Sequence, residues 1–244
     1  MPSGKNAMPT PIRPLLEGLP LFADDPILSI TPITHQGYCN LSYKVMTQTT
    51  VYLIRILKQE GIDRIKEYTL QKRAADAGIA PKVILFDKER GMMVSPFVEG
   101  IHHTCLDEEK LQNLATALRR LHKTLVWEEA PLDLEKTIRS RTPSVTKAFD
   151  TIRHYPTELA VCHNDPNPQN ILWQKDTPIL IDFEFAGMHD RYFDLAAVCV
   201  EFGLDKRMKR DFLDLYFEGS YRLEKVKAYE VLYRQLCKEW FSQR

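Results

Sequence analysis

Cys162-His163-Asn164-Asp165-Pro166-Asn167-Pro168-Gln169-Asn170, followed by Leu180-Ile181-Asp182-Phe183-Glu184, is the stretch on which the fold of this chain turns. Asn-Asp, Asp-Pro and Asn-Pro are ordinary turn signals, because short polar side chains bond to the nearby backbone. A plain turn does not account for the order Asp165, Asn170, Asp182. Phosphoryl transfer from a nucleotide needs a carboxylate to accept the proton of the attacking hydroxyl. It also needs an amide oxygen and a second carboxylate to hold the Mg²⁺ that neutralises the phosphates. The five-residue step from Asp165 to Asn170 suits a tight loop whose two ends face one metal site. The apolar run Ile179-Leu180-Ile181 is expected to be a buried strand that delivers Asp182 to the same place.

The run from Val161 to Glu201 resembles the catalytic core of the choline/ethanolamine kinase and aminoglycoside phosphotransferase superfamily, its choline kinase branch in particular. The resemblance rests on His163-Asn164-Asp165 with Pro168 and Asn170, and on Ile181-Asp182-Phe183-Glu184-Phe185. Arg191-Tyr192-Phe193-Asp194-Leu195-Ala196 is similar to the family segment that packs under the catalytic loop. Pro166 departs from the pattern, since many relatives carry an apolar residue or His there. The resemblance implies an α+β, protein-kinase-like fold of two lobes, a small β-rich one and a larger helical one. It further implies ATP and Mg²⁺ as cofactors and a small amino alcohol, choline first, as substrate. Asp165 would be the catalytic base, with Asn170, Asp182 and Glu184 at the metal.

Composition narrows the surroundings. Lys plus Arg equals Asp plus Glu at 33 each, so no net field recruits nucleic acid or an anionic membrane. No apolar run approaches the roughly 20 residues that span a bilayer, and Met1 to Pro14 lacks a signal-peptide core, so a cytoplasmic protein is expected. The five cysteines (39, 105, 162, 199 and 237) include no Cys-x-x-Cys pair, which favours neither zinc nor a disulfide framework. Cys162 and Cys199 are expected in the core, and His102-His103 in a polar loop.

Three segments are expected from the pattern along the chain: an irregular arm over 1–26, a nucleotide-covering lobe over 27–98 and a catalytic, acceptor-binding lobe over 99–244. Strands are expected at Ile27–Ile33, Leu41–Met46 and Val51–Leu57, then a helix from Asp63 to Ala77 stopped by Gly78. Lys82–Phe86 and Met92–Phe97 flank the charged turn Asp87–Gly91 as a hairpin, and Phe97–Gly100 is the candidate hinge. Leu111, Leu114, Ala115, Leu118 and Leu121 recur at helical spacing.

Gln36-Gly37-Tyr38-Cys39-Asn40-Leu41-Ser42, with its single glycine, reads by itself as a hairpin turn. In the family context Gly37 would allow close backbone approach, while Asn40 and Ser42 would donate to phosphate oxygens. Arg55 stands where protein kinases use Lys, and Glu67 on the next helix is its natural partner, although Arg64 and Lys66 make a solvated salt-bridge helix the competing reading. On the acceptor side, aromatic faces and carboxylates suit an organic cation. Glu201 and Phe185 match the family's acidic and aromatic pocket residues, and Trp240 is the candidate from the distal aromatics, which otherwise read as core. Asp194 is expected as an N-cap or an acceptor for loop amides, and His163 as a loop brace.

Only 11 residues separate Asp182 from Asp194, too few for a peptide-binding platform, which disfavours protein substrates. Thiamine kinase and aminoglycoside phosphotransferase stay open as alternatives, as does a nucleotide-binding scaffold without turnover. The mixed, basic segment 206–244 counts against an aminoglycoside site.

Overall fold

The computed structural model describes residues 12–33, 40–58 and 60–242, which divide into two compact units. One holds the described residues up to Glu60 together with Val83–Phe97; the other holds Gly61–Lys82 and the chain from Val98 onward.

In the first unit β1 (Ile27–Pro32), β2 (Asn40–Thr47), β3 (Val51–Leu57), β4 (Leu85–Asp87) and β5 (Met92–Pro96) form an antiparallel sheet in the order β1-β2-β3-β5-β4. Period-two alternation sorts its faces. Tyr43, Val45, Tyr52, Ile54 and Val94 join one apolar cluster. Leu16, Leu19 and Phe22 belong to the same cluster, supplied by α1 (Ile12–Glu17) and the 3-10 turn Pro20–Phe22. The irregular arm is thus corrected over residues 12–22. A helix of 6 residues is too short to show a period in sequence, and burial of Leu16 against the sheet is what holds it. Strand β4 is shorter than expected, beginning at Leu85 rather than Lys82.

The second unit opens with α2 (Arg64–Asp76), capped by Asp63, whose carboxylate accepts from the N–H groups of Ile65 and Lys66 at 3.1 and 3.0 Å. Gly78 ends it in the left-handed region, φ 73°. The expected lobe 27–98 included this helix, yet its Leu70 and Ala74 are buried with Leu111, Leu114 and Leu118 of α3 (Glu108–Thr124). Then follow α4 (Leu134–Thr137), α5 (Pro143–Arg153), β6 (Leu159–Cys162), β7 (Ile171–Gln174), β8 (Thr177–Leu180), β9 (Gly187–Asp190), α6 (Tyr192–Glu201), α7 (Lys206–Phe217) and α8 (Leu223–Ser242). Strands β7 and β8 form a hairpin, and β6 pairs antiparallel with β9. No described helix is long and apolar enough to cross a membrane.

Helix α6 is buried along almost its whole length and packs on α8. Lys225 of α8 is itself buried. Its ammonium lies 2.6 Å from Asp190 Oδ2, donates to the Pro156 carbonyl at 2.8 Å and sits 4.2 Å above the Tyr192 ring. A buried ammonium needs such company, because an unpaired charge in the interior is strongly unfavourable.

Candidate active site

Strand β6 delivers the loop 163–170, which closes through a 3-10 turn at Pro168–Asn170 into β7. Asp165 lies in its middle. Asn167 Nδ2 donates to Asp165 Oδ1 at 2.9 Å and Asn170 Nδ2 to Oδ2 at 2.8 Å. The loop also folds on its own backbone, with Asn167 N–H donating to the Asp165 carbonyl at 2.9 Å, so Pro166 is accommodated without a lost donor. Burial pushes the Asp165 carboxyl up, the Asn167 and Asn170 amides oppose that, and the charges of Asp182 and Glu201 reinforce it. The outcome is about 7.

Asp182 follows β8, the expected strand, and takes φ 65°, where a non-glycine residue is held only by its surroundings. The preceding residue supplies them: Ile181 N–H donates to the Asn170 carbonyl at 2.9 Å, and the Ile181 carbonyl lies 3.0 Å from His163 Nε2. Asn170 and Asp182 are therefore neighbours. With its Nδ2 end on Asp165, the planar Asn170 amide turns its oxygen the other way. An amide oxygen beside a carboxylate is the hard-oxygen pair that Mg²⁺ takes.

Asp194, in the first turn of α6, anchors the loop from below. Its Oδ2 accepts from His163 N–H at 2.7 Å and its Oδ1 from Asn164 N–H at 2.8 Å. His122 Nε2 lies 2.9 Å from the same Oδ2, and His122 Nδ1 lies 2.7 Å from the Tyr216 hydroxyl. Burial raises this carboxyl, but the bonds from His122 and His163 outweigh it and hold it below the ordinary range. The acceptor role expected of Asp194 is the one observed; the N-cap position belongs to Arg191. His163 braces the loop as expected, packed 4.9 Å from the Phe183 ring. Among the described residues one group of possible metal ligands converges, His122, Cys162 and Asp194. It is buried, its His and Asp bond each other, and burial pushes the Cys162 thiol well up, so it is a packed network.

Glu184 lies on the 3-10 turn after Asp182, with its carboxylate 3.6 Å from Arg64 Nη1. Arg64 also meets Glu67 at 2.6 Å, so one guanidinium joins the first turn of α2 to that turn. Arg55 lies on β3 in the first unit. Ser42 is its direct cross-strand neighbour and Asn40 is two residues further, so all three project from one sheet face. Gly37 lies outside the described residues.

Toward the acceptor side, Phe185 and Trp240 meet edge to face with centroids 5.3 Å apart. Glu201 ends α6, and its charge reaches Asp165, Tyr233 and Cys237. Tyr233, Cys237 and Trp240 recur at helical spacing, one face of α8. Burial pushes the Cys237 thiol up to about 11, so this wall adds no third negative charge.

Residues 29–229 match a family described as phosphotransferase enzymes. The chain belongs to the phosphotransferase enzyme family. This family member is 32% identical over 85 residues to protein LicA of Haemophilus influenzae, a match spanning 35% of this chain and 32% of that one. The chain thus covers about a third of that relative's length. A LicA homolog of Metamycoplasma hominis is 22% identical over 231 residues, 87% of this chain and 88% of the other. Among solved structures, choline kinase LicA from Streptococcus pneumoniae superposes with a TM-score of 0.80 at 20% identity, covering 95% and 90% of the two chains. A choline/ethanolamine kinase family protein from Mesorhizobium loti gives 0.75 at 23% identity, covering 93% and 83%. At these identities the likeness establishes the fold, protein-kinase-like and α+β.

In this family member the structure brings together Asp165, Asn170 and Asp182, and separately Phe185 with Trp240. Three participants escaped the sequence: His122, His189 and Cys237. The histidines act across 72 and 25 positions, to Asp194 and Asn164, and no local pattern announces such distant pairs. For Cys237 a signal existed, since it lies between Tyr233 and Trp240 at helical spacing.

Proposed function

We propose that the chain transfers the terminal phosphoryl group of ATP to the hydroxyl of a small cationic amino alcohol, choline first. The observation that carries this is the join between the Asp165 carboxylate and Asn170, whose own backbone bonds to the residue before Asp182. Proton acceptor and metal oxygens then share one rigid loop pair. Asp165, near 7, accepts the hydroxyl proton where a general base works best at neutral pH. Asn170 and Asp182 would hold Mg²⁺, with Glu184 behind them against Arg64. Bound there, the ion would neutralise phosphate oxygens. Arg55 would pair with the donor phosphates, and Gly37, Asn40 and Ser42 would cover them. Glu201, Phe185 and Trp240 would receive the cation by charge pairing and ring faces. The likeness to choline kinase LicA supports choline as the first acceptor.

The deciding experiment measures ATP consumption with choline, ethanolamine, thiamine and kanamycin in parallel. Choline is expected to give the highest kcat/KM. Consumption that no alcohol stimulates would overturn the reaction, and a preference for thiamine would keep the cation and change the acceptor.

Glu201→Gln is expected to raise KM for choline roughly tenfold to a hundredfold, about 1–3 kcal/mol, and to leave KM for ATP near wild type. Because the Glu201 charge helps to raise Asp165, the acid limb of the rate profile should also move to lower pH. A neutral carbon isostere of choline should lose little further in the variant. Equal weakening of choline and the isostere would assign Glu201 to the fold.

A further inference from the structure

Asn164 precedes Asp165 with φ 65°, a left-handed conformation that asparagine and glycine adopt more readily than other residues. Its backbone N–H is held by Asp194, and its side chain is held as firmly. Nδ2 donates to the Phe185 carbonyl at 3.0 Å, and Oδ1 lies 3.2 Å from His189 Nδ1. A carbonyl oxygen can only accept, so the NH₂ end of the amide faces Phe185 and its oxygen faces His189. His189 is then the donor, with its proton on Nδ1. Burial lowers that imidazole to about 4, so it is neutral with a single ring proton. The rings of Phe193 and Tyr229 pack around it at 4.4 and 6.0 Å.

His163, one residue earlier, makes the companion bond to the Ile181 carbonyl at 3.0 Å. Ile181 and Phe185 lie on either side of Asp182 in the chain. Consecutive residues of the Asp165 loop therefore grip the Asp182 turn before and after its carboxylate.

We propose that Asn164 is a positioning residue that, with His189 as its fixed donor, keys the Asp182–Phe185 turn to the Asp165 loop. Proton acceptor, metal carboxylate and acceptor-side ring then keep one geometry. The inference rests on Asp165 being the proton acceptor. It matters because a misplacement of about 1 Å at reacting groups can cost on the order of a hundredfold in rate.

Asn164→Gly keeps the left-handed backbone and removes both side-chain bonds. Asn164→Asp keeps an acceptor toward His189 and removes the donor to Phe185. Both are expected to lower kcat about tenfold to a hundredfold with nucleotide Kd and choline KM within about threefold. His189→Asn places an amide N–H where Nδ1 stood and should restore most of the rate that His189→Phe loses. Asn164→Gly combined with His189→Phe should be no slower than Asn164→Gly alone, since both act through one bond. Wild-type kcat in Asn164→Gly would overturn the proposal, as would a loss of rate matched by a loss of thermal stability.

A second measurement needs no turnover. In ¹⁵N-imidazole NMR spectra at neutral pH, His189 should show a protonated Nδ1 and a bare Nε2, a preference that Asn164→Gly abolishes. A wild-type His189 protonated on Nε2 would refute the clamp whatever the acceptor proves to be. The expected tautomer in a protein that phosphorylates none of the alcohols would sink the reaction proposed above and leave the clamp supported.

Discussion

Asp165→Asn is expected to lower kcat by a factor on the order of 10²–10⁴ and to leave nucleotide affinity close to wild type. In the proposed reaction this carboxylate takes the acceptor's proton, and its own bonds go to Asn167 and Asn170. An amide of the same shape can accept only one of those two N–H groups on its single oxygen, and it cannot take the proton. A variant retaining more than about a tenth of wild-type kcat would remove Asp165 from the chemistry. The same substitution should change stability in a direction fixed by the shifted carboxyl. Its folded value of about 7 lies above the ordinary 3.8. Below the lower value both states are protonated. Between the two, the unfolded chain ionises first, so folding stability falls as pH rises and stays lower above 7. The loss is on the order of 4 kcal/mol. Denaturant titrations of wild type between pH 4 and 8 should show that slope, and Asp165→Asn should flatten it.

Asp182→Ala is expected to abolish productive binding of Mg²⁺ with nucleotide, since in the proposed reading it removes the charged member of the Asn170–Asp182 oxygen pair that would hold the ion. Calorimetric titration with Mg²⁺–ATP checks it. Wild-type affinity together with wild-type metal dependence would contradict the assignment. The substitution also removes one of the charges that raise Asp165, so that carboxyl should titrate lower in the variant.

Local chemistry wrote some elements plainly. Asp63 before α2 and Gly78 after it bound that helix because a cap oxygen and a left-handed glycine have no substitutes of equal ease. Strands β2 and β3 announced themselves by branched and aromatic residues, and the spacing of Asp165, Asn170 and Asp182 fixed the loop pair. What stayed hidden depends on partners far along the chain. Strands β6 and β9 are short and largely buried, so no alternation marks them. Their pairing follows from Leu159 meeting Asp190 across 31 positions. Helix α1 is decided by the sheet beneath it. The placement of α2 with the second unit is decided by Leu70 and Ala74 against α3, although in sequence it looks like a continuation of the strands before it.

Lys225 gives the second unit an order of assembly. A polypeptide leaves the ribosome from its N-terminus, so Asp190 is made well before the ammonium that neutralises it. Until α8 has emerged, β9 cannot bury that carboxylate at tolerable cost, and β6, its partner strand, leads directly into the Asp165 loop. A chain arrested at Gly219 should be cut by protease between residues 156 and 194, and one extended through Ser242 should resist. Vectorial synthesis thus leaves the Asp165 loop on unfinished ground until α8 is made, because a helix translated after the rest of the unit supplies the charge that lets β9 be buried against β6.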